Sequence, residues 1–129
     1  DTTLADELLS PSVIYAPAVL AVLREVEVHA IAHVTGGGLA GNLVRVLPEG
    51  AAAVVDTATW EQPRIFGEIQ RLGSIELDEM RRVFNCGIGM VLALPADRAA
   101  DACTLLAEHG HRAVVIGEVV AGDRGVTLR

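Results

Sequence analysis

Residues 29–47, HAIAHVTGGGLAGNLVRVL, decide how the middle of this chain folds. The apolar run HAIAHV predicts a strand over residues 29–34, and LAGNLVRVL predicts a helix over residues 38–47 that ends before Pro48. The turn between them consists of Thr35, Gly36, Gly37 and Gly38. Unpaired N–H groups and the positive end of the helix dipole meet at such a turn, which indicates an anion site, most simply for a phosphate.

The composition favours an α/β fold and excludes several kinds of partner. About half of the 129 residues are apolar and 3% are aromatic, so the core must consist of small aliphatic side chains in regular layers. A formal charge of −7 opposes binding to nucleic acid or to an anionic membrane, because that affinity comes from clustered Lys and Arg. No run approaches the roughly 18 apolar residues of a membrane span, and no export signal is recognisable. We therefore expect a soluble, cytoplasmic protein.

The order of predicted elements defines the fold class. Helices are predicted over 17–26, 38–47, 63–73, from 77 onwards and over 97–109, and strands over 29–34, 51–56, 87–94, 113–120 and 126–128. The last two strands, joined by residues 121–125, are predicted to form a hairpin. This order predicts an α/β (α+β) single domain of three layers, in which a mixed sheet is packed by helices.

The N-terminal part of the chain indicates a piece of a longer protein. The chain begins at Asp1 without an initiator Met, and residues 1–16 are typical of a lead-in segment between domains. Residues 17–129 then form the domain. Cys86 and Cys103 have no metal-ligand spacing, so both are expected to be reduced and no metal site is expected.

The first glycine turn also matches a dinucleotide-binding fingerprint. Gly36, Gly38 and Gly41 satisfy G-x-G-x-x-G, and Asp56 ends the next predicted strand about 20 residues further on. Against this interpretation, the helix before Pro48 is short for a crossover between parallel strands, and no second βαβ unit follows.

A second glycine turn, FNCGIGM at residues 84–90, adds to the first and to the W-x-x-P-x-I-F motif at 60–66. Together with ELLSPSVIYAPAVL at 7–20 and AVVIGEV at 113–119, these blocks cover nearly the whole chain. In this order they resemble the C-terminal domain of the phosphoribosylformylglycinamidine cyclo-ligase family, also called aminoimidazole ribonucleotide synthetase. The resemblance implies the fold of that C-terminal domain.

The resemblance also implies an activity, cofactors and partners. Family members are ligases that use ATP and Mg²⁺, bound mainly by an N-terminal domain that this chain lacks, to close the imidazole ring of formylglycinamidine ribonucleotide in purine biosynthesis. Their active site lies between the two domains, and they form homodimers. We therefore expect this chain to bind a ribonucleotide substrate and its own N-terminal domain, and to be inactive alone.

The two glycine turns supply the candidate site residues. The hypothesis is that Thr35 and the N–H groups of Gly36, Gly37 and Gly38 hold the phosphate of the substrate. The alternative is that three glycines only permit a tight turn. Asn85 and Gly87 face the same cleft in this interpretation, with an Asn that bonds only its own turn as the alternative.

Other side chains are weaker candidates, and no catalytic base is assigned. His29 and His33 fall on one face of a predicted strand and are typical of histidines at the rim of a core. Arg45 and Arg64 lie close enough in sequence to the two motifs to reach a phosphate.

Two other classes of function stay open. Related ATP-dependent enzymes act in selenophosphate synthesis, thiamine monophosphate phosphorylation and hydrogenase maturation, but they usually carry an Asp shortly before the glycine turn, where His33-Val34-Thr35 stands here. A regulatory domain that senses a nucleotide without catalysis is the non-enzymatic alternative.

Overall fold

The computed structural model describes residues 3–129. In chain order, the elements are α1 (Leu4–Leu8), α2 (Ala16–Glu25), β1 (Ala30–His33), α3 (Gly38–Leu43), β2 (Ala51–Val55), α4 (Arg64–Gly73), α5 (Leu77–Val83), β3 (Met90–Ala93), α6 (Ala99–Glu108), β4 (Gly117–Ala121) and β5 (Gly125–Leu128). The longest of these helices have ten residues, and none within residues 3–129 is long and apolar enough to cross a membrane.

The strands form two sheets. β1 and β3 pair antiparallel, with Ala30 opposite Ala93 and His33 opposite Met90. β2 is the central strand of the second sheet, which has β4 antiparallel on one edge and β5 parallel on the other. The predicted class, a mixed α/β domain with helices packed on its strands, is confirmed. The strands divide between a two-stranded ladder and a three-stranded mixed sheet.

The predicted hairpin of the last two strands is wrong, because β2 lies between β4 and β5. The connection crosses the beginning of β2, where the Gly122 N–H donates to Gly50 O at 3.0 Å. Spanning two strand spacings requires about 10 Å, which a connection of this length covers easily. β2 thereby gains hydrogen-bond partners on both edges, as its continuous apolar run AAAVV requires.

Several predicted elements are shorter than expected at one end. The helix predicted over 38–47 is α-helical only to Leu43 and continues as a 3₁₀ turn over Val44–Val46. The strand predicted over 87–94 begins at Met90, since the backbone before it turns with a φ of +103° at Gly87. The strand predicted over 113–120 begins only at Gly117.

Two apolar clusters hold the layers together. The larger joins β1, α3 and β2 through buried side chains of Ala32, Val34, Leu39, Leu43, Leu47, Ala53 and Val55. The smaller joins α2 to α6 through Val22, Val26 and Ala102, and Leu92 of β3 packs against it. Because side chains alternate along a strand, Val91 packs against the larger cluster. The β1–β3 ladder therefore lies between the α2–α6 pair and the larger cluster.

The geometry around the first glycine turn is not that of a dinucleotide-binding βαβ unit. In that unit a helix connects two parallel strands of one sheet, whereas β1 and β2 belong to different sheets. The third glycine of the fingerprint permits close packing of helix and strand, but a Cβ at Gly41 meets nothing within 4 Å. The match to G-x-G-x-x-G is therefore coincidental.

Candidate functional site

The two glycine turns lie side by side. One follows β1 and the other precedes β3, and antiparallel pairing brings these strand ends together. The Val34 N–H donates to Gly89 O at 2.9 Å, which extends the ladder to the turns. A Cβ on Gly38 would lie 1.9 Å from Arg81 O and 3.1 Å from Phe84 O, so the first turn contacts the backbone that leads into the second. The structure thus brings both predicted motifs to one end of the ladder.

A buried asparagine that the sequence analysis did not single out holds the first turn. Asn42 is 6% exposed, and its Nδ2 donates to Gly38 O at 2.8 Å, Thr35 O at 3.2 Å and Gly36 O at 3.3 Å. Asn42 also accepts a long hydrogen bond from Arg45 Nη1 at 3.5 Å. The carbonyl groups of the turn are therefore directed toward Asn42. A polar residue within the otherwise apolar LAGNLVRVL helix was the available signal.

The amide groups of the first turn are not equivalent. The Gly38 N–H donates to Thr35 O at 3.1 Å and is already used. Within residues 3–129, the N–H groups of Gly36 and Gly37 have no protein acceptor, and both residues are exposed. Thr35 is likewise exposed, and its hydroxyl makes no hydrogen bond within residues 3–129. Two backbone donors and one hydroxyl are therefore available to an anion at this turn.

Glycine is present at positions 36, 37 and 38 for different structural reasons. Gly37 and Gly38 have φ values of +101° and +65°, which favour glycine. Gly36 has no positive φ, and a Cβ there meets nothing within 4 Å. Neither the backbone nor the packing of the described residues requires glycine at position 36.

The second turn is fixed from two sides. The Asn85 Oδ1 accepts from the Gly87 N–H at 3.0 Å, so its oxygen serves its own turn. A Cβ on Gly87 would lie 2.6 Å from Pro63 Cδ, and the Trp60 indole N–H donates to Cys86 O at 3.0 Å. The Asn85 Nδ2 has no partner within residues 3–129 and remains available. The W-x-x-P motif therefore supports the second turn.

The arginines differ in how their charge is compensated. Five of them form ion pairs with carboxylates, for example Arg82 with Glu79 at 2.7 Å and Arg64 with Glu7. Within residues 3–129, the other five have no carboxylate within 4.0 Å, and two of these five, Arg45 and Arg81, lie beside the turns. These two arginines bring positive charge to the neighbourhood of the turns, although the whole chain carries −7.

The contacts of His29, His33 and His111 are with residues outside the two glycine turns. The exposed His29 lies 3.8 Å from Glu27, and His33 contacts the ring of Tyr15 edge-on with centroids 6.0 Å apart. Tyr15 also stacks on His111 at 5.7 Å, which joins the lead-in segment to the loop after α6. Among residues 3–129, no three His, Cys, Asp or Glu side chains are placed together as metal ligands.

Fold and site together define a mixed α/β domain that presents two adjoining glycine turns. Residues 1–128 match the family described as AIR synthase related protein, C-terminal domain, and the chain belongs to this family. A phosphoribosylformylglycinamidine cyclo-ligase from Geotalea daltonii is 49% identical over 125 residues, which cover 97% of this chain and 36% of that protein. The resemblance found in the sequence is confirmed.

Solved structures with a similar fold come from the same broader group. A hydrogenase maturation protein HypE superposes with a TM-score of 0.68 and 26% identity, over 87% of this chain and 37% of that chain. HypE from E. coli gives a TM-score of 0.67 and 25% identity, over 95% and 37% respectively. The chain thus spans little more than a third of the length of each of these relatives.

Proposed function

We propose that this chain is the C-terminal domain of a phosphoribosylformylglycinamidine cyclo-ligase. This ligase converts formylglycinamidine ribonucleotide to aminoimidazole ribonucleotide with ATP. The observation that carries the proposal is 49% identity to such an enzyme over 97% of the chain. Because the chain corresponds to 36% of that relative, the remainder of the enzyme is needed for turnover and the chain alone is inactive.

The cofactors and partners follow from the same proposal. ATP and Mg²⁺ are bound mainly by an N-terminal domain. The active site lies where that domain meets this one, and the full-length enzyme is a homodimer in the cytoplasm. A net charge of −7 supports a small-molecule substrate over nucleic acid or membrane as a partner.

Within this domain, the first turn binds the phosphate of the ribonucleotide. Thr35 and the N–H groups of Gly36 and Gly37 are the donors, and the Arg45 guanidinium is close enough to Gly37 to add positive charge. Gly36 supports this function most specifically, because neither φ nor packing calls for glycine there. A ligand that must approach the backbone closely accounts for it.

The Gly36→Ala variant of the full-length enzyme tests this site. The added methyl group meets no protein atom within 4 Å, so the fold is retained while the approach to the Gly36 and Gly37 amides is obstructed. Losing one hydrogen bond to a charged group costs about 1.5–3 kcal/mol, which raises KM for the ribonucleotide about tenfold or more and leaves KM for ATP unchanged. Gly67→Ala, equally unhindered in α4, is the matched control.

The kinetics decide between a phosphate site and a plain turn. If Gly36→Ala and Gly67→Ala have the same KM for the ribonucleotide, the first turn does not bind the phosphate. No ATP-dependent cyclisation by the full-length wild-type enzyme would instead refute the assigned activity itself.

The second turn contributes Asn85 and Gly87 to the same cleft. The Asn85 Oδ1 is held by the Gly87 N–H, which leaves the two hydrogens of Nδ2 for the substrate. Asn85→Ala in the full-length enzyme is expected to lower kcat/KM. An unchanged kcat/KM would show that Asn85 only stabilises its own turn and does not contact the substrate.

A hydrogenase maturation function is the second candidate, since the similar solved structures are HypE proteins with TM-scores of 0.67 and 0.68. The identity to the cyclo-ligase, 49% against 25–26%, favours the purine enzyme. Measuring ATP consumption with and without formylglycinamidine ribonucleotide separates the two, because only the cyclo-ligase depends on that substrate.

A further inference from the structure

A small cleft adjoins the second glycine turn on the side of α5. It encloses about 90 Å³, and its lining includes Thr57, Trp60, Gln62, Arg81, Phe84 and Asn85. Leu39 lines it but none of the residues Thr35 to Gly38 does, so the donors of the first turn lie outside it. Pockets for drug-sized ligands enclose about 300–1,000 Å³. This cleft therefore has room for a small ion and not for a nucleotide.

The cleft contains a cation that no carboxylate neutralises. Arg81 is partly buried and, within residues 3–129, has no carboxylate within 4.0 Å, whereas the adjacent Arg82 pairs with Glu79. Five of the ten arginines make no ion pair within residues 3–129, and Arg81 is the one among these five that is partly buried rather than exposed. A guanidinium that is partly removed from water without a counter-charge favours an anion beside it.

Hydrogen bonds hold Arg81 in place. Its Nη2 donates to Thr57 Oγ1 at 3.1 Å, and the Thr57 hydroxyl donates to Arg129 O at 2.5 Å. Thr57 therefore acts as an acceptor toward the guanidinium. A guanidinium has five N–H donors in a planar fork, so donors remain for a ligand.

The other walls strengthen the effect of this charge. Leu39, Trp60 and Phe84 contribute apolar surface to the lining, which lowers the local dielectric and increases the attraction between opposite charges. The Trp60 indole N–H is used by Cys86 O and does not compete for a ligand. Arg81 thus supplies the only full positive charge among the residues that line the cleft.

We propose that this Arg81 cleft binds a small free oxyanion of the size of inorganic phosphate, with the Arg81 guanidinium as its anchor. The anion accepts from the remaining N–H groups of Arg81, in a cleft that Gln62 and Asn85 also line. This site goes beyond the proposed function and does not depend on it, since its anchor Arg81 has no part in that function; it uses none of the donors of the first turn and, of Asn85 and Gly87 in the second, shares only Asn85.

Trp60 provides a specific reporter, because it is the single tryptophan of the chain and lines the cleft. Inorganic phosphate is titrated into the ¹⁵N-labelled chain at constant ionic strength, and the indole N–H resonance is followed. We expect a saturable shift in the wild type and in Arg82→Gln, the matched control. In Arg81→Gln we expect the affinity to fall at least tenfold.

The outcomes separate this proposal from the site at the first turn. The absence of a saturable indole shift, or an equal shift in wild type and Arg81→Gln, would refute anion binding in the Arg81 cleft. Shifts confined to the amides of Gly36 and Gly37 overturn the cleft while they support the first turn. Arg81→Lys keeps the charge without the fork and is expected to bind with intermediate affinity, which guards against a general folding defect in Arg81→Gln.

Discussion

Replacing Asn42 by Ala removes the side chain that holds the first glycine turn. The two hydrogens of Asn42 Nδ2 serve three carbonyl oxygens, at 2.8, 3.2 and 3.3 Å. Thr35 O also accepts from the Gly38 N–H, so it keeps a partner in the variant. Gly36 O has no second partner within residues 3–129 and must find water.

The expected cost follows from these bonds. A typical hydrogen bond contributes about 0.5–1.5 kcal/mol net, and leaving a buried acceptor unsatisfied costs about 1–3 kcal/mol. With two effective bonds and one orphaned carbonyl, these ranges add to about 2–6 kcal/mol. Because Gly36 is exposed and its carbonyl regains water, we expect the free energy of unfolding to fall by the lower end, about 2–3 kcal/mol. The control is Asn85→Ala, which removes one exposed bond and should cost about 1 kcal/mol or less.

Urea unfolding followed by Trp60 fluorescence and far-UV circular dichroism measures this difference. At a slope of about 1–3 kcal/mol per molar urea, the midpoint of Asn42→Ala should fall by roughly 1 M or more. A loss within about 0.5 kcal/mol, equal to that of Asn85→Ala, would refute the idea that Asn42 organises the turn.

Three further predictions each concern a single residue. Gly38→Ala should destabilise the chain by about 3 kcal/mol or more in the same urea assay, because φ is +65° and the new Cβ would lie 1.9 Å from Arg81 O; a loss below about 1 kcal/mol would contradict the packing. The hydrogen bond from Arg82 holds the pKa of Glu79 below its ordinary value of 4.5, so its contribution to stability is present above that pH and is lost as pH falls through the lowered pKa. Wild type should therefore lose more stability than Glu79→Gln between pH 5 and 3 in acid titrations by circular dichroism, and parallel curves would contradict this. Burial raises the pKa of the Cys86 thiol, so it should react with a disulfide reagent only on unfolding, while the partly exposed Cys103 reacts in the native chain; two equal rates would contradict this.

The sequence predicts the class of fold because helix and strand periodicities are local properties. The helix expected over 17–26 is found as α2 at Ala16–Glu25, and the strand expected over 51–56 is found as β2 at Ala51–Val55. Strand order is a different matter, because it depends on which edges meet in space. Residues 121–125 are suitable for a hairpin as well as for a crossing over β2, and only the packing of β2 decides between them.

The candidate site was predictable in part. Glycine at 37 and 38 reflects positive φ, which the glycine run itself indicates. The role of Asn42 depends on the direction of three carbonyl groups, and the role of Arg81 depends on the absence of a carboxylate nearby in space. Neither property is encoded in residue spacing, so both residues were missed. The adjacency of the two turns required the antiparallel pairing of β1 with β3.

Binding of the ribonucleotide phosphate at the first glycine turn can be tested directly. The most direct measurement is the change in the backbone amide resonances of Gly36 and Gly37 when formylglycinamidine ribonucleotide is titrated into the full-length enzyme, with the remote Gly110 as reference. We expect saturable downfield shifts at Gly36 and Gly37 and none at Gly110, because an N–H that gains a charged acceptor is deshielded. Saturation of the enzyme with both turn amides unmoved would contradict phosphate binding at this turn.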